Sequence, residues 1–305
     1  MSIVTIYPID FLSGAIDAQP SKNYTTRYLL GAALCEGVSV VENIADSEDA
    51  KALLRCLEVL GAKIRVLSDR SVEVHGFGSR PLSGQTIDPG NAGTVLRLLL
   101  GICAIVPETD FVTQFHDSLG KRPNKDLLDA LGILGVRCQS GVNGSLPIRM
   151  EGIDSSGLPD LVELSVSGNI SSQYLSALLF LAPLLNREVR IDVTGELRSS
   201  PLIRQTLEVL GYFGIEVDAS ADLSRFSFRQ GQSYQSGNFR VGGDHPGTAA
   251  ILAACAVTRS SVEIRGLLDD EQGEKRIIHA LAQMGASIIW KDGKLLIESS
   301  GILKS

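Results

Sequence analysis

Apolar positions along the chain fall into two patterns, and each returns four times. The first is a small-residue segment, apolar on nearly all sides, opened by a polar or glycine-rich turn. It reads PSKNYTTRYLLGAAL from Pro20, GNAGTVLRLLLGICA from Gly90, GNISSQYLSALLFLA from Gly168 and GDHPGTAAILAACA from Gly243, in steps of 70, 78 and 75 residues. The second is a one-sided apolar stripe that ends in glycine and runs into alternating residues: EVLGAKIRV, GILGVRC, GYFGIEV and AQMGASIIW. Its glycines, Gly61, Gly135, Gly214 and Gly285, lie 74, 79 and 71 residues apart.

All-round apolarity predicts a helix buried within a layered domain. The stripe of Ala50, Leu53, Leu54, Leu57 and Leu60, echoed by Ile277, Leu281 and Met284, predicts a helix lying on a sheet. Short strands are expected between the two helices at 38–44, 111–115, 188–193 and 261–267. A strand pair closes each unit, and in the last one Asp292-Gly293 is a hairpin turn. The order is α-β-α-β-β with a further strand leading in, so the fold class is α/β built from repeated units. A period near 75 residues is too long for ankyrin, TPR or WD40 repeats and fits a compact unit duplicated inside an enzyme.

Composition narrows the function. The chain has 305 residues, 44% hydrophobic and 21% charged, with no run of 18 uncharged apolar residues, so no membrane span is expected. The start, MSIVTIYPIDFLSGAID, lacks the basic region of a secretory signal. Cys35, Cys56, Cys103, Cys138 and Cys255 are scattered and never form CxxC, which argues against disulfides or structural zinc and for a cytoplasmic protein. A net charge of −7, one Trp and 5% aromatics argue against nucleic acid. A small anion needs only a local cluster of cations and stays open.

The turns supply such a cluster. A helix start offers unpaired N–H groups and the positive end of a dipole, and glycine lets an anion reach them. Gly90-Asn91-Ala92-Gly93-Thr94 with Arg97 has this form, as does Gly168-Asn169-Ile170-Ser171-Ser172-Gln173. The first repeat puts charge there instead, with Ser21-Lys22-Asn23 and Arg27. Helix capping explains Ser, Asn and Thr at any one of these starts equally well. Three starts together with Lys22, Arg27, Arg97 and Arg122 favour an anion site. The four histidines show no metal-ligand spacing, Gly242-Gly243-Asp244-His245 reads as a turn, and Asp46, Glu48 and Asp49 read as acids suited to a helix dipole.

These same segments resemble the EPSP synthase (3-phosphoshikimate 1-carboxyvinyltransferase) family. PSKNYTTRYLLGAAL looks like its N-terminal signature and GNAGTVLR like its phosphoenolpyruvate loop. SGNISSQYLSALLFLAPLL is similar to its S-x-S-S-Q-(F/Y) segment and GDHPGTAAILAAC to its GDxSSA segment. The resemblance implies two domains of βαβαββ units and transfer of the enolpyruvyl group of phosphoenolpyruvate to the 5-hydroxyl of shikimate 3-phosphate. That is a step of the shikimate pathway to aromatic amino acids, with no cofactor or metal. It implies Lys22 touching both substrates and aiding proton transfer. Asn23, Arg27, Ser171, Ser172, Gln173 and Ser199 would hold shikimate 3-phosphate, with Arg27 on its carboxylate. Lys22, Gly93, Arg122 and Gln173 would hold phosphoenolpyruvate, with Asn91, Thr94 and Arg97 shaping the loop.

The match has departures. Pro20 and Asn23 stand where the family usually has Gly and Ser, Leu202 where an aromatic residue is frequent, and FHDSLGKRP is a loose approach to Arg122. Six units at this period need about 450 residues, and this sequence holds four. The expectation is therefore a complete second domain at 21–238 and an incomplete first domain at 1–20 with 239–305. The family's catalytic Asp, in a D-x-N-x-x-P-D segment, is not among these residues. The family implies a monomer, with self-association expected of this chain through uncovered apolar faces. Two other readings are a non-catalytic remnant that binds shikimate 3-phosphate and a UDP-N-acetylglucosamine enolpyruvyl transferase. Ser21-Lys22 with Arg27, and the lack of Cys in 104–137, speak against the second.

Overall fold

Each repeat folds as β-α-β-α-β-β in the computed structural model, which describes residues 4–5 and 9–304; part of the N-terminal stretch read above lies outside them. The first repeat holds β1 (Phe11–Asp17), α1 (Lys22–Ala33), β2 (Val38–Glu42), α2 (Glu48–Val59), β3 (Lys63–Ser68) and β4 (Ser71–His75). The second holds β5 (Gln85–Ile87), α3 (Gly93–Ile102), β6 (Thr109–Phe111), α4 (Lys125–Ile133), β7 (Arg137–Ser140) and β8 (Ile148–Glu151). The third holds β9 (Leu161–Ser167), α5 (Ser172–Leu181), β10 (Glu188–Thr194), α6 (Ser200–Tyr212), β11 (Asp218–Ala219) and β12 (Arg225–Phe228). The fourth holds β13 (Asn238–Arg240), α7 (His245–Val257), β14 (Arg259–Arg265), α8 (Arg276–Gln283), β15 (Ser287–Lys291) and β16 (Lys294–Ser300).

Local chemistry sets the element ends. Gly61, Gly135, Gly214 and Gly285 all take positive φ, between 77° and 107°, where a side chain would strain the backbone. Asp292 and Gly293 both have positive φ, and Lys291 faces Lys294 across the tight turn. The strand expected at 111–115 lies earlier, at Thr109–Phe111. Beyond Phe111 the chain leaves the sheet, because the Thr113 hydroxyl donates to Gly90 O at 2.6 Å.

The four sheets share one topology: a lead strand parallel to the next, then two antiparallel neighbours. Two lead strands are exchanged. β13 pairs with β2 of the first repeat, and β1 pairs with β14 of the fourth. The chain accordingly forms two compact units, residues 22–241 and residues 1–21 with 242–305. Val241 N donates to Glu42 O, which keeps 238–241 with the larger unit. Ser21 N donates to Gly242 O in the smaller one. The borders thus fall a few residues from those expected.

In the larger unit α1, α3 and α5 are sunk in one core. Every residue from Tyr24 to Ala33 of α1 is buried. Glycines permit close packing: a Cβ on Gly31 would lie 2.4 Å from the Phe213 ring, and one on Gly101 would lie 2.7 Å from the Ala177 carbonyl oxygen of α5. In the smaller unit α7, equally apolar, is covered on one side only. Val257 is 60% exposed and Ala250 and Ala254 are exposed. Ala250 and Ala254, together with Ile251 and with Leu12–Ile16 of β1, line an apolar trough of about 520 Å³.

Two measurements follow from this packing. Gly101→Ala pushes α3 against backbone and is expected to lower the unfolding free energy by about 1–3 kcal/mol, read by chemical denaturation; an unchanged midpoint refutes the tight contact. The uncovered α7 face predicts mass that rises with concentration in sedimentation equilibrium, reduced by Ile251→Glu; a monomer at every concentration refutes it.

Candidate functional site

The buried helices leave unsatisfied backbone groups only at their ends, and the starts of α1, α3, α5 and α6 are free of acid. No Asp or Glu lies in the first turn of α1, α3, α5 or α6, whereas α2 opens with Glu48 and Asp49 and α4 carries Asp126. Ala92 precedes α3 and offers no side-chain cap, so the first N–H groups of α3 keep their pull on an anion. At α5 the Ser171 hydroxyl accepts from Gln173 N at 3.3 Å.

Around α3 the side chains converge. A Cβ on Gly93 would lie 3.0 Å from Arg122 Nη1 and 3.5 Å from Arg97 Nη1. Glycine at this position leaves room for both guanidinium groups. Arg97 donates from Nε to Asn124 Oδ1 (3.2 Å), from Nη2 to Pro123 O (3.3 Å) and from Nη1 to Gln173 Oε1. Its Cζ sits 5.2 Å from the Tyr174 ring centroid. Burial holds its pKa below the ordinary arginine value; Tyr174 opposes that shift and Arg122 adds to it. Gln173 closes the link by donating from Nε2 to Thr94 Oγ1 at 2.8 Å. Asn91 accepts from Leu119 N at 3.2 Å and so shapes the loop before α3. Arg122 is exposed and its guanidinium has no polar partner among the described residues.

Around α1 the charges are held differently. Lys22 Nζ lies 3.3 Å from Asp49 Oδ2, so Asp49 serves Lys22 as well as the dipole of α2. Arg27 is 1% exposed. It donates from Nε to Thr206 Oγ1 (2.9 Å), from Nη1 to Asn23 O (3.0 Å) and from Nη2 to Leu202 O (3.2 Å). All three acceptors are neutral. Burial pushes its pKa down to about 10, against a smaller upward pull from Tyr24, so it stays cationic at neutral pH. The Thr206 hydroxyl lies 2.9 Å from that of Ser176 on α5. Ser176 is one turn from Ser172, so hydrogen bonds join α1, α6 and α5.

Ser199, just before α6, is exposed and holds φ +59°, with no side-chain cap bond. A serine in this left-handed region is a strained position of the kind that collects at binding sites. Ser172 is 5% exposed at the first turn of α5.

The larger unit thus gathers several of the expected residues into two linked groups. Among the described residues, Ser171 before α5 bonds only the Gln173 backbone N–H, and Ser172 and Ser199 make no side-chain bond to either group. Gly93, Thr94, Arg97, Arg122 and Gln173 form one, with Asn91 on the adjoining loop; Asn23 and Arg27 form the other, with Lys22 at the head of the same helix. Asn124, Tyr174, Ser176 and Thr206 join them without having been singled out in the sequence. Their partners come from other repeats, so spacing carries no signal of them.

The fourth helix start is different in kind. Asp244 caps α7, its Oδ2 accepting from Gly247 N at 2.8 Å, so the segment read as a turn is a helix cap. His245 is buried with Nε2 2.8 Å from Leu268 O, while Nδ1 has no partner among the described residues. No group of His, Cys, Asp and Glu among the described residues has the arrangement of a metal site. Among the same residues no helix is long and apolar enough to cross a membrane.

The family model described as EPSP synthase (3-phosphoshikimate 1-carboxyvinyltransferase) matches residues 6–304. A 3-phosphoshikimate 1-carboxyvinyltransferase of Deinococcus radiodurans is 46% identical over 299 residues, covering 98% of this chain and 66% of that protein. One of Burkholderia pseudomallei is 35% identical and covers 94% of this chain and 63% of its own. The chain thus spans about two thirds of these relatives' length. The solved EPSP synthase of Acinetobacter baumannii superposes with a TM-score of 0.78 at 22% identity, covering 95% of this chain and 65% of that one, and shares its fold.

Gln173→Ala strips Arg97 Nη1 of its acceptor and Thr94 of its donor. It is expected to destabilise the chain by about 1.5–3 kcal/mol in urea unfolding. A loss below about 0.5 kcal/mol, the range of a neutral surface change, removes Gln173 from the network.

Proposed function

Because the chain belongs to the EPSP synthase (3-phosphoshikimate 1-carboxyvinyltransferase) family, we propose that it binds shikimate 3-phosphate and phosphoenolpyruvate at the acid-free helix starts of residues 22–241. There it takes part in enolpyruvyl transfer between them. One observation carries the reading. Arg27, Arg97 and Arg122 lie at or near these starts, in two groups, with no carboxylate bound to any of them among the described residues, whereas Arg65, Arg137 and Arg225 on the surface each hold one. Cations kept from internal acids are available to an anionic ligand.

In this reading the α3 start, Gly93 and Arg122 take phosphoenolpyruvate, with Gln173 and Arg97 fixing the wall beside it. Arg27 takes the carboxylate of shikimate 3-phosphate. Lys22, Asn23, Ser171, Ser172, Gln173 and Ser199 take its ring and phosphate. Lys22 lies at the head of α1 to stabilise negative charge and to help move a proton. The methylene carbon of phosphoenolpyruvate gains a proton, and the 5-hydroxyl attacks its carbon 2 and loses its own proton. The tetrahedral intermediate then loses a proton from its new methyl group as phosphate leaves, which restores the carbon–carbon double bond. Proximity and anion stabilisation supply the barrier lowering these residues offer. A D-x-N-x-x-P-D segment does not occur in the 305 residues, so the family's proton-transferring Asp is not supplied by them. The proposed setting is the cytoplasm, in keeping with five free cysteines.

Calorimetry with shikimate 3-phosphate and a phosphate-release assay with both substrates test the proposal. Binding without appreciable turnover is expected of the 305-residue chain. Arg27→Ala should weaken binding by about 1–3 kcal/mol. Absence of binding by the unaltered chain refutes the reading, and an affinity untouched by Arg27→Ala removes Arg27 from the site.

A further inference from the structure

Arg27 poses a physical problem that its immediate neighbours solve. A guanidinium at 1% exposure without a counter-ion is costly, and a neighbouring carboxylate is the usual remedy. Such a carboxylate would also cancel the charge that a ligand needs. The residue that holds the guanidinium without cancelling it is Thr206, 0% exposed on α6. Its hydroxyl donates to Leu202 O at 2.9 Å, which commits its only proton. Both remaining lone pairs must then accept, one from Arg27 Nε–H and one from the Ser176 hydroxyl, each at 2.9 Å. Leu202 O in turn accepts from Arg27 Nη2. One edge of the guanidinium is therefore docked on a hydroxyl and a carbonyl of the same helical turn. Of its five N–H groups, three are used. One on Nη1 and one on Nη2 are left for a planar, two-oxygen acceptor.

We infer that Thr206 is a positioning residue that fixes the guanidinium plane of Arg27 for a ligand carboxylate while leaving its charge uncompensated. The inference rests on the proposed binding of shikimate 3-phosphate at Arg27. Thr206 itself touches no substrate; it acts through Arg27. Ser176 fills its last lone pair and blocks rotation of the hydroxyl.

The test titrates shikimate 3-phosphate into the 305-residue chain and its variants by calorimetry. Arginine Nε–H spectra are recorded without ligand. Thr206→Val keeps the shape and removes the acceptor; it is expected to weaken affinity at least about tenfold, equivalent to about 1.4 kcal/mol. Thr206→Ser keeps the hydroxyl and should restore most of that affinity. Adding Thr206→Val to Arg27→Ala should weaken binding no further, because the threonine acts only through the arginine. The Arg27 Nε–H signal should persist in the wild type and Thr206→Ser and be lost in Thr206→Val. Should the valine variant fail to fold, Thr206→Cys, a weak acceptor of similar size, must show the same loss. Wild-type affinity in Thr206→Val or in its cysteine substitute overturns the inference. Equal losses in the serine and valine variants do so too, as do losses that add in the double variant. A wild-type chain that binds no shikimate 3-phosphate overturns the functional reading instead, and this role falls with it.

Discussion

The constraint on which the larger unit depends is the burial of three helices on all sides. A helix sunk in a core satisfies its own backbone along its length and leaves unsatisfied groups only at its ends. With Gly31 against Phe213 and Gly101 against the Ala177 carbonyl, α1, α3 and α5 pack closely in their later turns, and the polar contacts Arg27–Thr206–Ser176 and Arg97–Gln173 lie nearer their starts. Polar chemistry is thereby driven to the helix starts. The same packing that stabilises the unit decides where an anion can bind.

Charge arrangement completes the effect. Arg97 is held by two amides, a carbonyl and an aromatic face, and Arg27 by a hydroxyl and two carbonyls. Neutral acceptors fix direction without lowering net charge. The α7 start in the smaller unit is the counter-example, because Asp244 supplies a negative charge of its own there. Two uses of one repeated element are separated by a single side-chain choice.

Features governed by neighbours in the chain were legible in the sequence. The four helix-stopping glycines and the Asp292-Gly293 turn take the positive φ that their residue types allow. The cations at the helix starts were legible because spacing along one helix brings Lys22 and Arg27, or Gly93 and Arg97, to the same end. What escaped were arrangements made across repeats. Thr206 is one polar residue in an otherwise ordinary α6, and only the fold brings it to Arg27, 179 positions away. The exchange of β1 and β13 left no local trace either, since β13 is three residues long and its partner lies at Val40–Glu42. The strand expected at 111–115 was misplaced because its alternation continues past the point where the Thr113 hydroxyl turns the chain toward Gly90.

That exchange of lead strands bears on how the protein emerges from the ribosome. β1 is made about 240 residues before its partner, which begins at Arg259. At roughly 5–20 residues per second, β1 waits about 12–50 s for the strand that completes its sheet. Residues 22–241 can close their own sheets in the meantime, with β13 arriving last. The sheet of the smaller unit can therefore close only after residues 22–241 have been made. Asp10 and Asp17 flank the waiting FLSGAI segment, and charges in that position guard an unpaired strand against pairing with other chains.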